Sequence, residues 1–328
     1  MLRLALLALL STLACSGDSP GSASLTLGAY TTPREAYAAI VPTFAREWRA
    51  RTGDEVEVRT SFSGSGAQAR AIASGFEADV AALSLEPDIQ TLVDAQLVGG
   101  GWSRDAHGGI VTRSVVVIGV RAGNPQGIRE WSDLARPGLE VLTPNVRTSG
   151  GAMWNVLAVV GAARRSGQSE EAALAGVLRN VRTMDRGARD SLLTFERGVG
   201  DAIITYENEL LVGRARGATY EVVVPSSTIL IENPVAVVDA HVDRHGNREL
   251  AEAFVAHLHT PEVQAIFAEH GLRPVDETVA ARFADRFADV PDLFTVRDLG
   301  GWSEVRRAFF ADGALYDRAL TRGRGEAR

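Results

Sequence analysis

The run Thr143-Pro144-Asn145-Val146-Arg147-Thr148-Ser149-Gly150-Gly151-Ala152-Met153-Trp154 constrains this chain more than any other stretch. Pro144 and Asn145 end the short apolar segment that closes on Leu142. Beyond the two glycines, Trp154, Leu157, Ala158 and Gly161 return at helical spacing, which predicts a strand end, a loop and a helix beginning near Ser149. A helix start leaves about four backbone N–H groups without intrahelical partners and carries roughly half a positive charge. Gly150 and Gly151 remove the side chains that would hold a ligand away, and the Ser149 hydroxyl adds another hydrogen-bonding group. That combination suits a compact oxyanion. A plain serine N-cap followed by a tight turn fits the same residues.

The pattern recurs. A strand over 25–30 leads into Thr31-Thr32-Pro33-Arg34-Glu35, with Thr32 as N-cap, Pro33 at the first helical position and Glu35 closing a capping box. Tyr37, Ile40, Val41, Phe44 and Trp48 then form the apolar stripe of a helix. A strand over 55–62 runs into Ser63-Gly64-Ser65-Gly66, which lacks the lysine of a P-loop and has Ser63 where a nucleophile elbow has glycine. A short buried strand over 78–83 precedes a helix over 89–97. Residues 114–120 are continuously apolar, as in a strand covered on both faces. Asp185-Arg186-Gly187-Ala188-Arg189-Asp190-Ser191 is a fourth N–H-rich start, and a strand over 200–206 ends on Tyr206. Strands follow over 220–224 and 229–238, the second interrupted by Asn233-Pro234, and the chain from Asn247 onward reads as mostly amphipathic helix. Strands alternating with helices predict α/β layers. In open α/β sheets ligands sit at the carboxyl ends of the strands, where Thr31, Thr32, Ser65, Ser149, Gly150 and Gly151 would converge.

With 328 residues the chain can form two substantial cores. Its net charge of −7 argues against nucleic acid and anionic membrane surfaces as partners. It does not exclude a small anion, because charges beyond about 8 Å are largely screened at physiological salt. Residues 1–14, with Arg3 before an apolar run too short to span a bilayer, predict a secretory signal. The only cysteine, Cys15, follows directly and heads a polar tether over 15–24, as in a lipoprotein whose cysteine is acylated; ordinary cleavage leaving a free thiol is the alternative. His241 and His245, and the group His257, His259 and His270, have metal-like spacings but are expected at the surface of polar helical faces. Ser149 or Ser65 as the nucleophile of a secreted serine hydrolase would need a histidine brought close, and His107 is the only one in the first 240 residues.

Asn124-Pro125-Gln126-Gly127-Ile128-Arg129-Glu130-Trp131-Ser132-Asp133-Leu134, Pro137-Gly138, Val141-Leu142-Thr143-Pro144-Asn145 and Thr148-Ser149-Gly150-Gly151-Ala152 together resemble the periplasmic sulfate/thiosulfate-binding proteins of ABC importers. The resemblance continues through Asp185-Arg186-Gly187-Ala188-Arg189, Phe195-Glu196-Arg197-Gly198-Val199-Gly200-Asp201, Glu207-Asn208-Glu209 and Leu272-Arg273-Pro274, and covers residues 25–317. It implies an α/β, two-lobed periplasmic-binding-protein fold of type II, each lobe a mixed sheet flanked by helices, joined by two crossing strands near 112–120 and 229–238. The implied parts are lobe 1 over 25–112, lobe 2 over 113–230, and over 231–328 the second part of lobe 1 with the C-terminal helices. It also implies a monomeric binder rather than an enzyme, with no cofactor and no metal, delivering an oxyanion, foremost sulfate, to a membrane permease. The family's contacts carry over to Ser65, Ser149, Gly150, Gly151 and Ala188. Two positions depart: Thr31 stands where the family has aspartate after tyrosine, and Tyr206 where it has a tryptophan whose N–H donates to sulfate. A tyrosine hydroxyl serves a comparable role in the related molybdate-binding proteins, so molybdate, tungstate and thiosulfate stay open as ligands. Asn145-Val146-Arg147 replaces the usual Asn-Pro-Lys.

Overall fold

The computed structural model describes residues 23–326. Strands β1 (Ala23–Tyr30), β2 (Val56–Ser63) and β3 (Val80–Ala82) pair in parallel around β1. Each feeds a helix: α1 (Arg34–Thr52), α2 (Ser65–Ala73) and α3 (Glu86–Asp94). Next comes β4 (Ile110–Val120), whose unbroken apolar run requires cover on both faces; Val115, Val116, Val117 and Ile118 are fully buried. A second set follows: β5 (Val141–Leu142), α4 (Gly150–Arg165), α5 (Glu170–Arg179), β6 (Val181–Thr183), α6 (Ala188–Glu196), β7 (Ala202–Tyr206), α7 (Glu207–Ala215) and β8 (Glu221–Val223). Then β9 (Ser227–Val237) leads into α8 (Asp239–His245), α9 (Arg248–Leu258) and α10 (Pro261–Glu269).

Strands β4 and β9 hold the molecule together. Each has 11 residues, roughly 37 Å of strand, and can therefore serve two packed bodies. The first half of β4 pairs antiparallel with β9, and its second half with β7 and β8; β9 then pairs with β3. Two lobes, each a mixed sheet flanked by helices, are joined by these crossing strands. One core gathers Leu25, Leu27, Phe44 and Trp48 with Phe254, Phe267 and Leu272. The other gathers Val116, Ile118, Trp154 and Leu157 with Phe294, Phe309 and Leu315. The chain after residue 292 thus packs against α4 and α5, while α9 and α10 pack against α1 and α9 also against β1.

The structure differs from the sequence reading at four places. Ala23 and Ser24, assigned to the tether, already belong to β1, while Cys15 and residues 1–14 lie outside the described residues. Helix α1 begins at Arg34 after Pro33, Thr32 makes no cap bond, and the Glu35 carboxylate is drawn to Arg189 instead of closing a capping box. Asn233 and Pro234 do not break β9; they sit opposite a register shift between Ile110 and Thr112, where a residue without N–H is tolerated. His241 and His257 are buried, not surface residues. His241 Nδ1 lies 2.7 Å from the Ala78 carbonyl, and His257 Nε2 lies 2.9 Å from Thr43 Oγ1. Among the described residues no cluster of histidine, cysteine or carboxylate side chains has the make-up of a metal site.

Candidate oxyanion-binding site

Three helix starts meet where the two lobes face each other. Helices α2, α4 and α6 begin after Gly64, Ser149 and Gly187, and none of these positions offers a side-chain acceptor to its first turn. Helix α5, helix α10 and the helix Glu277–Arg282 behave differently, being capped by Ser169, Thr260 and Asp276. The leading N–H groups of α2, α4 and α6 therefore keep their hydrogen-bonding capacity. Ser149 is an N-cap by position only, and the plain-cap reading does not describe it.

The glycines allow the approach. A Cβ on Gly64 would stand 2.5 Å from the Thr148 carbonyl oxygen, across the cleft. A Cβ on Gly150 would lie 2.6 Å from Ser84 Oγ, and one on Gly151 would lie 2.7 Å from the Tyr206 ring and 3.3 Å from the Ala188 Cβ. Ser65, Ser84, Gly150, Gly151, Ala188 and Tyr206 thus share one small volume, drawn from both lobes. Within it Ser65 Oγ accepts from the Ser84 N–H at 2.8 Å and donates to Asp88 Oδ2 at 2.5 Å. Ser84 Oγ lies 2.6 Å from the Tyr206 hydroxyl, and the Ser84 carbonyl accepts from Trp154 Nε1 at 3.1 Å and from Asn233 Nδ2 at 3.2 Å.

Thr31 and Thr32 stand to one side. The Thr31 hydroxyl lies 3.8 Å from where a Cβ on Gly187 would be. Thr32 is buried, and its carbonyl accepts from Arg189 Nη2 at 3.3 Å. No hydrogen bond ties either threonine to Ser65, Ser84 or Tyr206.

Around the neutral hydroxyls of the site stand one buried guanidinium and three carboxylates. Burial, with the Glu209 and Asp88 charges adding to it, pushes the Tyr206 hydroxyl far up despite its bond to Ser84, so it keeps its proton. Arg189, next to Ala188, is occupied: it bonds Glu209 at 2.6 Å within its own lobe and Glu35 at 2.5 Å across the cleft. Burial raises Glu209, and Arg189 only partly offsets this. For Glu35 the balance reverses, because Arg189 and Arg216 outweigh burial and lower it. Burial also pushes Asp88 up to about 6, against the pull of Ser65 and of the Arg70 and Arg306 charges.

Sequence reasoning missed Ser84 and Asp88. The signal for Ser84 was the same strand–serine–helix pattern: a buried strand, then Ser84-Leu85-Glu86-Pro87, with proline in the first helical turn. Asp88 reads as an ordinary first-turn acid, and nothing in the sequence says that Ser65 lies beside it.

Comparison with known proteins fits this geometry. A family model described as bacterial extracellular solute-binding protein matches residues 25–273. A sulfate-binding protein of Synechococcus elongatus is 41% identical over 308 residues, covering 92% of this chain and 88% of the relative. A thiosulfate-binding protein of Pseudomonas aeruginosa is 35% identical, over 93% of this chain and 95% of the relative. Among solved structures, the sulfate-binding protein SubI of Mycobacterium tuberculosis superposes with a TM-score of 0.82 at 39% identity, covering 88% of this chain and 99% of that one.

Proposed function

Because the chain belongs to the bacterial extracellular solute-binding protein family and has its two-lobed, type II fold, we propose that it captures sulfate and passes it to the permease of an ABC importer. The observation that carries this is the meeting of three uncapped helix starts with neutral hydroxyls between two lobes. Backbone N–H groups and helix dipoles hold a dianion without a neutralising cation in contact. Ser65, Ser149, Gly150, Gly151, Ala188 and Tyr206 would contact the anion, and Thr31 and Thr32 would flank it. A site built of donors disfavours an oxyanion with its own proton, whose O–H would be left without an acceptor. Sulfate takes precedence over thiosulfate because the relatives named for sulfate are the more similar.

The chain would act as a monomer and perform no chemistry. No described helix is long and apolar enough to cross a membrane. Attachment to the membrane face would come through an acylated Cys15, which lies outside the described residues. The decisive measurement is calorimetry of sulfate, thiosulfate and molybdate. Sulfate is expected to bind one per chain at micromolar concentration or below, about −8 kcal/mol or better. No heat from any of the three at millimolar concentration defeats the proposal, and a preference for molybdate changes the ligand.

Tyr206→Phe removes one hydroxyl while keeping the ring that fills the space beside Gly151 and Tyr30. A hydrogen bond to a charged partner contributes about 1.5–3 kcal/mol, so sulfate affinity should fall roughly 10- to 150-fold. Unchanged affinity in calorimetry would leave Tyr206 a packing residue.

A further inference from the structure

Ser84 lies just beyond β3 and is fully buried. Its backbone is pinned: the N–H donates to Ser65 Oγ, and the carbonyl accepts from Trp154 Nε1 and from Asn233 Nδ2 on β9. Its hydroxyl meets two further groups. Trp154 Nε1 on α4, 3.2 Å away, can only donate, so it takes one lone pair of Ser84 Oγ. The other group is the Tyr206 hydroxyl at the end of β7, 2.6 Å away. Two hydroxyl protons, one on Ser84 and one on Tyr206, thus share a single hydrogen bond. Neither hydroxyl has another acceptor among the described residues. Both residues are at most 1% exposed, so bulk solvent does not take up the spare proton. A buried donor without an acceptor is costly, and the pair therefore calls for a lone pair from a ligand.

We infer that Ser84 is a positioning residue that aims the Tyr206 hydroxyl at the bound oxyanion, as the middle member of a donor relay from Trp154 N–H through Ser84 O–H and Tyr206 O–H to the anion. Of the two senses open to the Ser84–Tyr206 bond, cooperativity selects this one. The Trp154 N–H polarises the Ser84 hydroxyl and makes it a better donor, and the Ser84 proton does the same for the phenol. The phenol, the stronger donor of the two, then faces the strongest acceptor present, an anionic oxygen. Burial keeps that phenol protonated, as the relay requires. Its ring lies against the opening turn of α4, 2.7 Å from where a Cβ on Gly151 would stand.

The relay joins the two lobes. Trp154 and Tyr206 belong to the core around Leu157 and Phe294, with Trp154 set edge-on against Trp302 at 5.0 Å between ring centroids. Ser84 follows a strand of the other core. Moving the lobes apart would withdraw Ser84 from both partners, so the Tyr206 donor is aimed only while the lobes meet. This deepens the oxyanion reading and rests on it, since Tyr206 must face the ligand.

A double-mutant cycle in sulfate calorimetry, on the full mature chain, tests this. Ser84→Ala removes only Oγ; Trp154 Nε1 keeps the Ser84 carbonyl, and the backbone bonds of Ser84 remain. It should weaken sulfate binding roughly 3- to 10-fold, the usual contribution of one neutral hydrogen bond. In a Tyr206→Phe background the same change should cost less than about twofold, because the relay then has nothing to aim. Circular dichroism and melting curves establish that each variant is folded. Ser84→Cys, with only a weak S–H donor, takes its place in the cycle if Ser84→Ala does not fold. An equal loss in both backgrounds overturns the inference, since Ser84 would then touch the anion itself or act through packing. Wild-type affinity in Ser84→Ala or in Tyr206→Phe overturns it too, and all these outcomes leave the oxyanion reading intact. Absence of sulfate binding by the wild type removes both.

Discussion

Gly150→Asp should abolish sulfate binding while leaving each lobe folded. Even the Cβ has no room, since it would stand 2.6 Å from Ser84 Oγ, 2.8 Å from Ser84 Cβ and 3.0 Å from Leu85 Cγ. Those atoms belong to the opposite lobe, so the clash acts on the approach of the lobes more than on the packing within either. The carboxylate adds a second obstacle, because it would sit in a buried pocket beside the dianion with no counterion. Breaking charge compensation in a buried site costs about 3–5 kcal/mol, on the order of a thousandfold in affinity. Calorimetry gives the affinity, and circular dichroism and small-angle scattering report whether the lobes remain folded and stand apart. A folded variant that binds sulfate within a few-fold of wild type would reduce residues 149–151 to an ordinary helix start.

The second large effect is expected at Arg189. Its guanidinium is nearly buried and lies between Glu209, which is fully enclosed, and Glu35 on α1. Arg189→Ala leaves the Glu209 carboxylate in the interior without its cation, which costs about 3–5 kcal/mol. For a protein of this size that lowers Tm by about 4–7 °C. The sign with pH follows from Glu209. Burial already raises it, and loss of Arg189 raises it further, so the folded variant binds a proton more readily than the unfolded chain. Its penalty is absent below the unfolded carboxylate range and grows as pH rises toward the new folded value. Melting curves should therefore separate from wild type much more at pH 8 than at pH 5. Arg189→Ala combined with Glu209→Gln should recover most of the loss; no recovery would mean that Arg189 stabilises through packing alone. Glu35 reports a different property, because its pairs with Arg189 and Arg216 are both made across the cleft.

These two sites also show how far the sequence could be read. The helix start at Gly150 was legible because its signal is local: a strand stop, two glycines and returning helical spacing all lie within some twenty residues. The same holds for α2 and α6, and Tyr206 stands at the end of β7 as expected. The Arg189 network was not legible, because Glu35 and Arg189 are 154 positions apart and only the fold brings them together. That distant partner also explains the failed capping box: Glu35 had a bidentate cation available, which outcompetes a single backbone N–H. His257 was misplaced for a related reason. A histidine assigned to a polar helical face looks exposed, until Thr43 and Phe44 on another helix close over it. Pro234 inside β9 reads as a break unless the register shift in β4, more than a hundred residues earlier, is known.

The interleaved cores also carry a cost in time. The core around Leu25 and Phe44 is completed only by Phe254, Phe267 and Leu272, and the core around Trp154 only by Phe294, Phe309 and Leu315. Neither can close while the C-terminal quarter of the chain is still unmade. Contacts this distant in sequence must close long loops before they gain anything, which slows folding. A growing chain can complete neither core until these late residues have appeared. For a member of an extracellular family, that interval is the one in which an unfolded polypeptide can still be threaded through a membrane.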